Sequence, residues 1–211
     1  MAHTLALAAE RYLETSPGCL PTGRVLPVAG TPFDFRAAKA VGRDIDTAAE
    51  QLRLVNGYDH HFCVDGAGLR RAAVLRGDSS GIAMTMDTTS PGVQLYTANW
   101  LSRRGGKNGA VYEPRCAVCL EPQFPPDAVH HPDFPQPLLG RSIPALHGIL
   151  LFKITTHPPR SVSARGMCCY YCAQPMTTRT CTSVPGAAGG SIFPVMGVPS
   201  TAMEAIPFST W

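Results

Sequence analysis

No stretch of this sequence approaches the ~20 consecutive apolar residues needed to cross a bilayer, and Met1 to Ala9 carry neither a basic segment nor a long apolar run of the secretory type. A membrane partner is therefore not expected, and cytoplasmic residence is. Charge is also scarce. Only 16% of the 211 residues are Asp, Glu, Lys or Arg, and the net charge of +3 comes from 18 basic and 15 acidic residues with no long basic run. Nothing here forms the basic stripe that follows a phosphate backbone, so DNA and RNA are set aside as partners. No internal repeat of solenoid length is visible either.

Apolar residues make up 45% of the chain, enough for a packed core. The eight cysteines are expected to be reduced in a cytoplasmic chain. Two pairs, Cys116/Cys119 and Cys169/Cys172, have CxxC spacing and in principle make a four-cysteine zinc module. Between Cys119 and Cys168 the spacing is long and unspecific, so zinc is the weakest of the functional readings.

From His3 to about Thr155 the pattern is strand-like. Leu5 and Leu7, Met84 and Met86, Val93 and Leu95, then Leu150, Phe152 and Ile154 alternate with small or polar residues, the period of half-buried strands. Pro21-Thr22-Gly23, Gly57-Tyr58-Asp59, Ser90-Pro91-Gly92 and Arg104-Gly105-Gly106 read as turns between them. The fold class is all-β, a sandwich. One window, Arg36 to Arg53, is rich in alanine and helix-like, although Gly42 cuts it. At about residue 156 the composition shifts. The last 56 residues hold four charged residues against seven prolines, five glycines and thirteen serines or threonines, and residues 156–211 are expected to be an irregular tail.

Several blocks occur in an order that is informative as a set: Leu20-Pro21-Thr22-Gly23; Pro27 to Phe35 (PVAGTPFDF); Asn56 to Cys63 (NGYDHHFC); Asp87 to Asn99 (DTTSPGVQLYTAN); Gly106 to Tyr112; and Cys119 to Gln123 (CLEPQ) with Pro126-Asp127-Ala128-Val129 behind it. Together they resemble the aldose 1-epimerase (galactose mutarotase) family, particularly its animal type. The resemblance covers about 150 residues. It implies that residues 1–155 are the C-terminal part of a galactose mutarotase-like supersandwich, with the N-terminal portion, including the family's acid histidine, lying outside the blocks.

By that resemblance Glu121 matches the catalytic base and Asp59 the carboxylate that binds sugar hydroxyls. The substrate is a monosaccharide such as galactose or glucose, in hexose and galactose metabolism. No metal or organic cofactor is needed, and the family's full-length members are expected to be monomers. The implied isomerase activity interconverts α and β anomers. The alternative is a catalytically inactive carbohydrate-binding fragment, because the acid histidine has no counterpart among the blocks. A phosphosugar epimerase is a third reading, for which the sequence locates no phosphate-gripping arginines. Three departures stand out. Ile82 replaces an arginine, Pro122 replaces a threonine, and the ending Gly140-Arg141-Ser142-Ile143-Pro144 replaces a Pro-Gly-Glu turn. Ile82 and Pro122 are expected to disturb their strands. His60 and His61 read as strand-edge residues rather than ligands, and His130-His131 as loop surface.

Overall fold

The computed structural model of the chain describes residues 1–137 and 150–156. The expected tail and the altered ending at 140–144 lie outside the described residues, apart from Thr156, which ends a strand. Twelve strands and one short helix make up the rest: β1 (Thr4–Leu7), β2 (Arg11–Thr15), β3 (Pro21–Pro27), β4 (Lys39–Ala40), α1 (Glu50–Leu54), β5 (Asp59–Cys63), β6 (Arg70–Arg76), β7 (Ile82–Thr88), β8 (Gly92–Tyr96), β9 (Arg104–Gly105), β10 (Val111–Tyr112), β11 (Cys119–Gln123) and β12 (Leu150–Thr156). The fold is β-rich, as expected from the period-two pattern.

Two five-stranded antiparallel sheets are formed, ordered β12-β7-β6-β1-β4 and β11-β8-β5-β2-β3, with β9 and β10 as a separate pair. One hydrophobic core joins the two sheets. Leu5, Leu7, Leu75, Met84 and Met86 come from the first sheet, and Tyr12, Phe62, Val93, Leu95 and Leu120 from the second. The loop between β3 and β4 adds Phe33 and Phe35, both 1% exposed. Phe33 stacks on Tyr12 with ring centroids 4.2 Å apart and meets Tyr58 edge-on at 5.6 Å, arrangements that suit the ring quadrupoles. The same segment contains the buried Lys39. Its ammonium donates to Asp44 Oδ2 and Pro32 O, each at 2.6 Å, and lies over the Phe35 ring. Full pairing is what makes a buried cation tolerable there.

Four sequence expectations are corrected. The window Arg36 to Arg53 is mostly turns, and only its end enters helix α1. Alanine content favours a helix, but burial of Val41 and Ile45 and the Lys39 pairing hold an irregular path that local propensity does not decide. Pro21-Thr22-Gly23 is part of edge strand β3, where Gly23 at φ +90° sits in the stretch that bulges against β2 between Leu13 and Thr15. Arg104 and Gly105 form β9, paired with β10, rather than a turn. Finally, His60 and His61 lie in the middle strand of the second sheet, 1% and 3% exposed, not at an edge.

The two substitutions expected to disturb strands do not interrupt them. Ile82 opens β7 and is buried. Pro122 lies in β11, which is the sheet edge, where a residue without an N–H is least costly.

Candidate active site

Three strands of the second sheet set the site by register. Asp59 lies opposite Tyr96, which lies opposite Cys119; His61 lies opposite Gln94, which lies opposite Glu121; Cys63 lies opposite Gly92, which lies opposite Gln123. Directly opposed residues share a face. His60, Leu95 and Leu120 alternate with these rows and point into the core. The outer face of β5, β8 and β11 therefore carries both sequence-predicted carboxylates, Asp59 and Glu121, two strands apart. Strands about 4.8 Å apart, with about 6.8 Å between residues two apart on one strand, separate their backbones by roughly 12 Å.

Asp59 is half-buried and held from two sides. Gln94 Nε2 donates to its Oδ1 at 2.8 Å, and the Trp100 side chain lies near enough to favour its charged form. Burial nevertheless raises its pKa above the ordinary aspartate value, with the Gln94 and Trp100 side chains opposing the rise. Glu121 is also half-buried. Burial pushes its pKa up, and the charge of Asp59 adds to the shift. A carboxyl so raised is a stronger base when ionised than a free surface glutamate. Tyr96, between the carboxylate strands, has its hydroxyl 3.2 Å from the Trp100 backbone N–H, from which it accepts. Trp100 is 58% exposed, a large aromatic surface beside the carboxylates.

The turn that delivers Asp59 to the face is fixed by a buried network. Gly57 has φ +140°, and a β-carbon there would collide with Asn99 Oδ1 and Thr97 Oγ1. Asn99 Nδ2 donates to Val55 O and Tyr58 O at 2.8 Å each, and the Thr97 hydroxyl donates to Asn99 Oδ1 at 2.6 Å. The Tyr58 N–H donates in turn to Thr97 Oγ1 at 3.0 Å. Asn99 and Thr97 thus replace the ladder at the point where the chain turns into β5.

Among the described residues, four polar atoms of the sheet are buried without a partner: His60 Nε2, both ring nitrogens of His61, and Gln94 Oε1. His60 faces the core, where its Nδ1 accepts from the Asp59 N–H at 3.1 Å and its ring meets Phe33 edge-on. His61 and Gln94 face the site. Burial holds both imidazoles neutral, with pKa values near 3. Gln94 and Trp100 were not picked out from sequence. The signal for Gln94 was its place one strand position from two core residues, Val93 and Leu95, which turns it to the opposite face.

Residues 1–141 match the family model described as aldose 1-epimerase. The chain belongs to the aldose 1-epimerase family. It is 41% identical over 139 residues to galactose mutarotase from Homo sapiens, a match covering 65% of this chain and 39% of that protein. It is 34% identical over 137 residues to aldose 1-epimerase from Escherichia coli, covering 64% and 39%. The chain thus spans about 39% of the length of these curated relatives. Among solved structures, an aldose epimerase homologue from C. elegans superposes with a TM-score of 0.58 at 26% identity, over 72% of this chain and 44% of that one. This family member has a mutarotase-like sandwich in its described part.

Of the zinc pairs, Cys116 is exposed and Cys119 buried, and Cys169 and Cys172 lie outside the described residues. His130 is exposed, at the end of a short 3-10 turn, with Nδ1 2.5 Å from Asp127 Oδ1. His131 packs against Phe134. No helix among the described residues is long and apolar enough to cross a membrane.

Proposed function

We propose that this chain carries the base-bearing part of an aldose 1-epimerase site, with Glu121 as general base and Asp59 as the carboxylate that receives sugar hydroxyls. The reading rests on one observation above the rest: these two carboxylates occupy one face of one sheet, with Gln94 bonded to Asp59 and opposite Glu121 in register, and with Glu121 sensing the charge of Asp59. The substrate class is a neutral aldohexose, galactose or glucose, and the setting is cytoplasmic hexose metabolism.

Mutarotation needs balanced proton traffic. Glu121 takes the proton from the anomeric hydroxyl as the bond from C1 to the ring oxygen breaks, and an acid gives a proton to that oxygen. The open aldehyde turns about its C1–C2 bond, and the steps reverse on the other face. A positioned base contributes roughly 10²–10⁴-fold. Asp59 binds by accepting hydrogen bonds from hydroxyls, and a charged acceptor makes these bonds about twice as strong as neutral ones. Gln94 orients Asp59 through its amide, and its buried oxygen has no hydrogen-bond partner among the described residues.

One observation favours the second reading, sugar binding without fast turnover by the isolated chain. His61, the histidine that the sheet itself places on this face, is held neutral by burial and is a poor cationic acid. Polarimetric mutarotation of fresh α-D-galactose with purified chain tests both readings. Enzyme-catalysed rates abolished by Glu121→Gln support the epimerase. Saturable galactose binding lost in Asp59→Asn, without catalysis, supports the binding fragment. Neither catalysis nor binding sinks the sugar-site assignment.

A further inference from the structure

Beside the carboxylate rows, the same sheet face closes over a cavity of about 340 Å³ under the loop that follows β11. Leu13 and Arg11 of β2, His61 and Cys63 of β5, and Pro125 and Phe134 of the loop line it. Leu13, Phe134 and Cys63 of this wall pack in one cluster with the buried Ala128. The polar group in that wall is unusual. His61 is 3% exposed, yet neither ring nitrogen has a hydrogen-bond partner among the described residues. Unmatched buried polar atoms are rare because each forfeits its hydration without return. One orphan nitrogen is explained by a tautomer choice, but two on the same ring call for a binding partner.

The backbone has been cleared for this ring. A β-carbon at Gly92, in the neighbouring row, would overlap His61 Nε2 and also approach the Phe62 carbonyl. Gly92 thus gives the imidazole its place. Gln94, which lies opposite His61 in register, carries the third orphan atom of the face, its Oε1. Three unsatisfied polar atoms therefore sit in one row with Glu121, on the side of Asp59.

We propose that His61 is a sugar-contacting residue, exchanging a hydrogen bond with a hydroxyl of a neutral aldose whose far side enters this cavity while Asp59, Gln94 and Glu121 hold the reacting side. This inference rests on the sugar-site reading and extends it to a specificity-determining contact. The chemistry selects the ligand class. A neutral imidazole presents one N–H and one lone pair. A hydroxyl satisfies either, since it both donates and accepts, whereas a phosphate or carboxylate meets only the N–H and is repelled by the lone pair. The cavity's other charged groups are Arg11, Arg70 and Asp133. The Arg70 guanidinium donates to the backbone carbonyls of Val64, Asp65, Gly68, Thr88 and Ser90 rather than to a ligand. Asparagine is the conservative replacement for this role, because its amide also offers both a donor and an acceptor.

The test uses the full 211-residue chain labelled with 15N at histidine and tryptophan, titrated with D-galactose. The Trp100 indole N–H, whose side chain lies beside Asp59, reports on the carboxylate side. We expect the His61 ring nitrogens to shift saturably with the same midpoint as the Trp100 indole. We also expect His61→Phe to weaken galactose binding about tenfold or more, the loss that follows from one missing buried hydrogen bond. His61→Asn should stay within about threefold of wild type, and galactose 6-phosphate should bind more weakly than galactose. If Trp100 shifts saturably while the His61 nitrogens do not, or if a folded His61→Phe binds like wild type, His61 is a packing residue with a resident water and the inference is wrong. Asp59→Asn separates the two readings. If it leaves both shifts intact, the sugar site itself is misassigned; if it abolishes both, that site stands and His61 is judged on its own variants. Absence of any shift with galactose or glucose overturns both.

Discussion

Replacing Asn99 by alanine isolates the device that aims Asp59. In the wild type, the Asn99 amide donates to Val55 O and Tyr58 O, and its oxygen receives the Thr97 hydroxyl. The losses in Asn99→Ala are unequal. Tyr58 O keeps the Thr97 backbone N–H at 3.0 Å, and the Thr97 hydroxyl, 3.2 Å away, can turn to it. Val55 O has no such substitute in the network, so one buried carbonyl is orphaned at about 1–3 kcal/mol. Truncating a side chain only 3% exposed leaves a small cavity that adds about 1 kcal/mol. The expected total is about 2–4 kcal/mol. Urea unfolding followed by circular dichroism measures it, as a lowered midpoint with an unchanged m-value. Because the network fixes Tyr58, next to Asp59, galactose affinity should fall as well under conditions where the variant remains folded. A midpoint equivalent to less than about 0.5 kcal/mol of loss would refute the reasoning, since it would mean that water replaces the amide freely. Asn99→Asp provides the sign. An ionised carboxylate there would face two carbonyl oxygens, so the folded state favours the protonated acid and raises its pKa above the unfolded value near about 3.9. The deficit should therefore be smallest below about pH 3.9 and grow as pH rises through the folded pKa.

Glu121→Gln should reduce catalysed mutarotation by roughly 10²–10⁴-fold, read by polarimetry, while galactose affinity changes only a few-fold. The pH profile should show the rate falling on acidification at a pKa above the ordinary glutamate range, because burial and the Asp59 charge both favour the protonated form. The same shift has a stability consequence. The folded pKa is raised, so Glu121 contributes stability below its unfolded pKa that is lost as pH rises through the folded value. Glu121→Gln should therefore be more heat-stable than wild type at about pH 7, and calorimetry should show that advantage vanishing near about pH 4. Gly92→Ala should displace the His61 ring and cost about 1–3 kcal/mol, measured by urea unfolding, because the new methyl meets a buried ring and a carbonyl. In contrast, Arg71→Ala should shift stability by no more than about 1 kcal/mol, because its pair with Asp87 spans two strands with the arginine side chain 53% exposed.

The alternation of Leu5 with Leu7, Met84 with Met86 and Val93 with Leu95 was enough to identify strands and the side each buries, because a period of two is local information. The ordered blocks carried the family, and within them Asp59 and Glu121 were visible as single residues. That the two carboxylates share one pocket was implied by the family resemblance, but the pairing that brings them to one face was not legible. Asp59 and Glu121 come together through β8, a strand that neither belongs to, and cross-strand register is a property of pairing that no one segment contains. For the same reason Gln94 passed unnoticed, since its role depends on which strands flank it. The alanine-rich window misled because burial and the pairing of Lys39 outweigh helix propensity worth only tenths of a kcal/mol per residue. The two histidines after Asp59 show the division most plainly. Sequence placed both in a strand, but only the order β11-β8-β5-β2-β3 made that strand central, turning His60 into the core and enclosing His61 against a cavity. Local chemistry determined which groups the chain possesses, and the packing of the two sheets decided which of them lose water together.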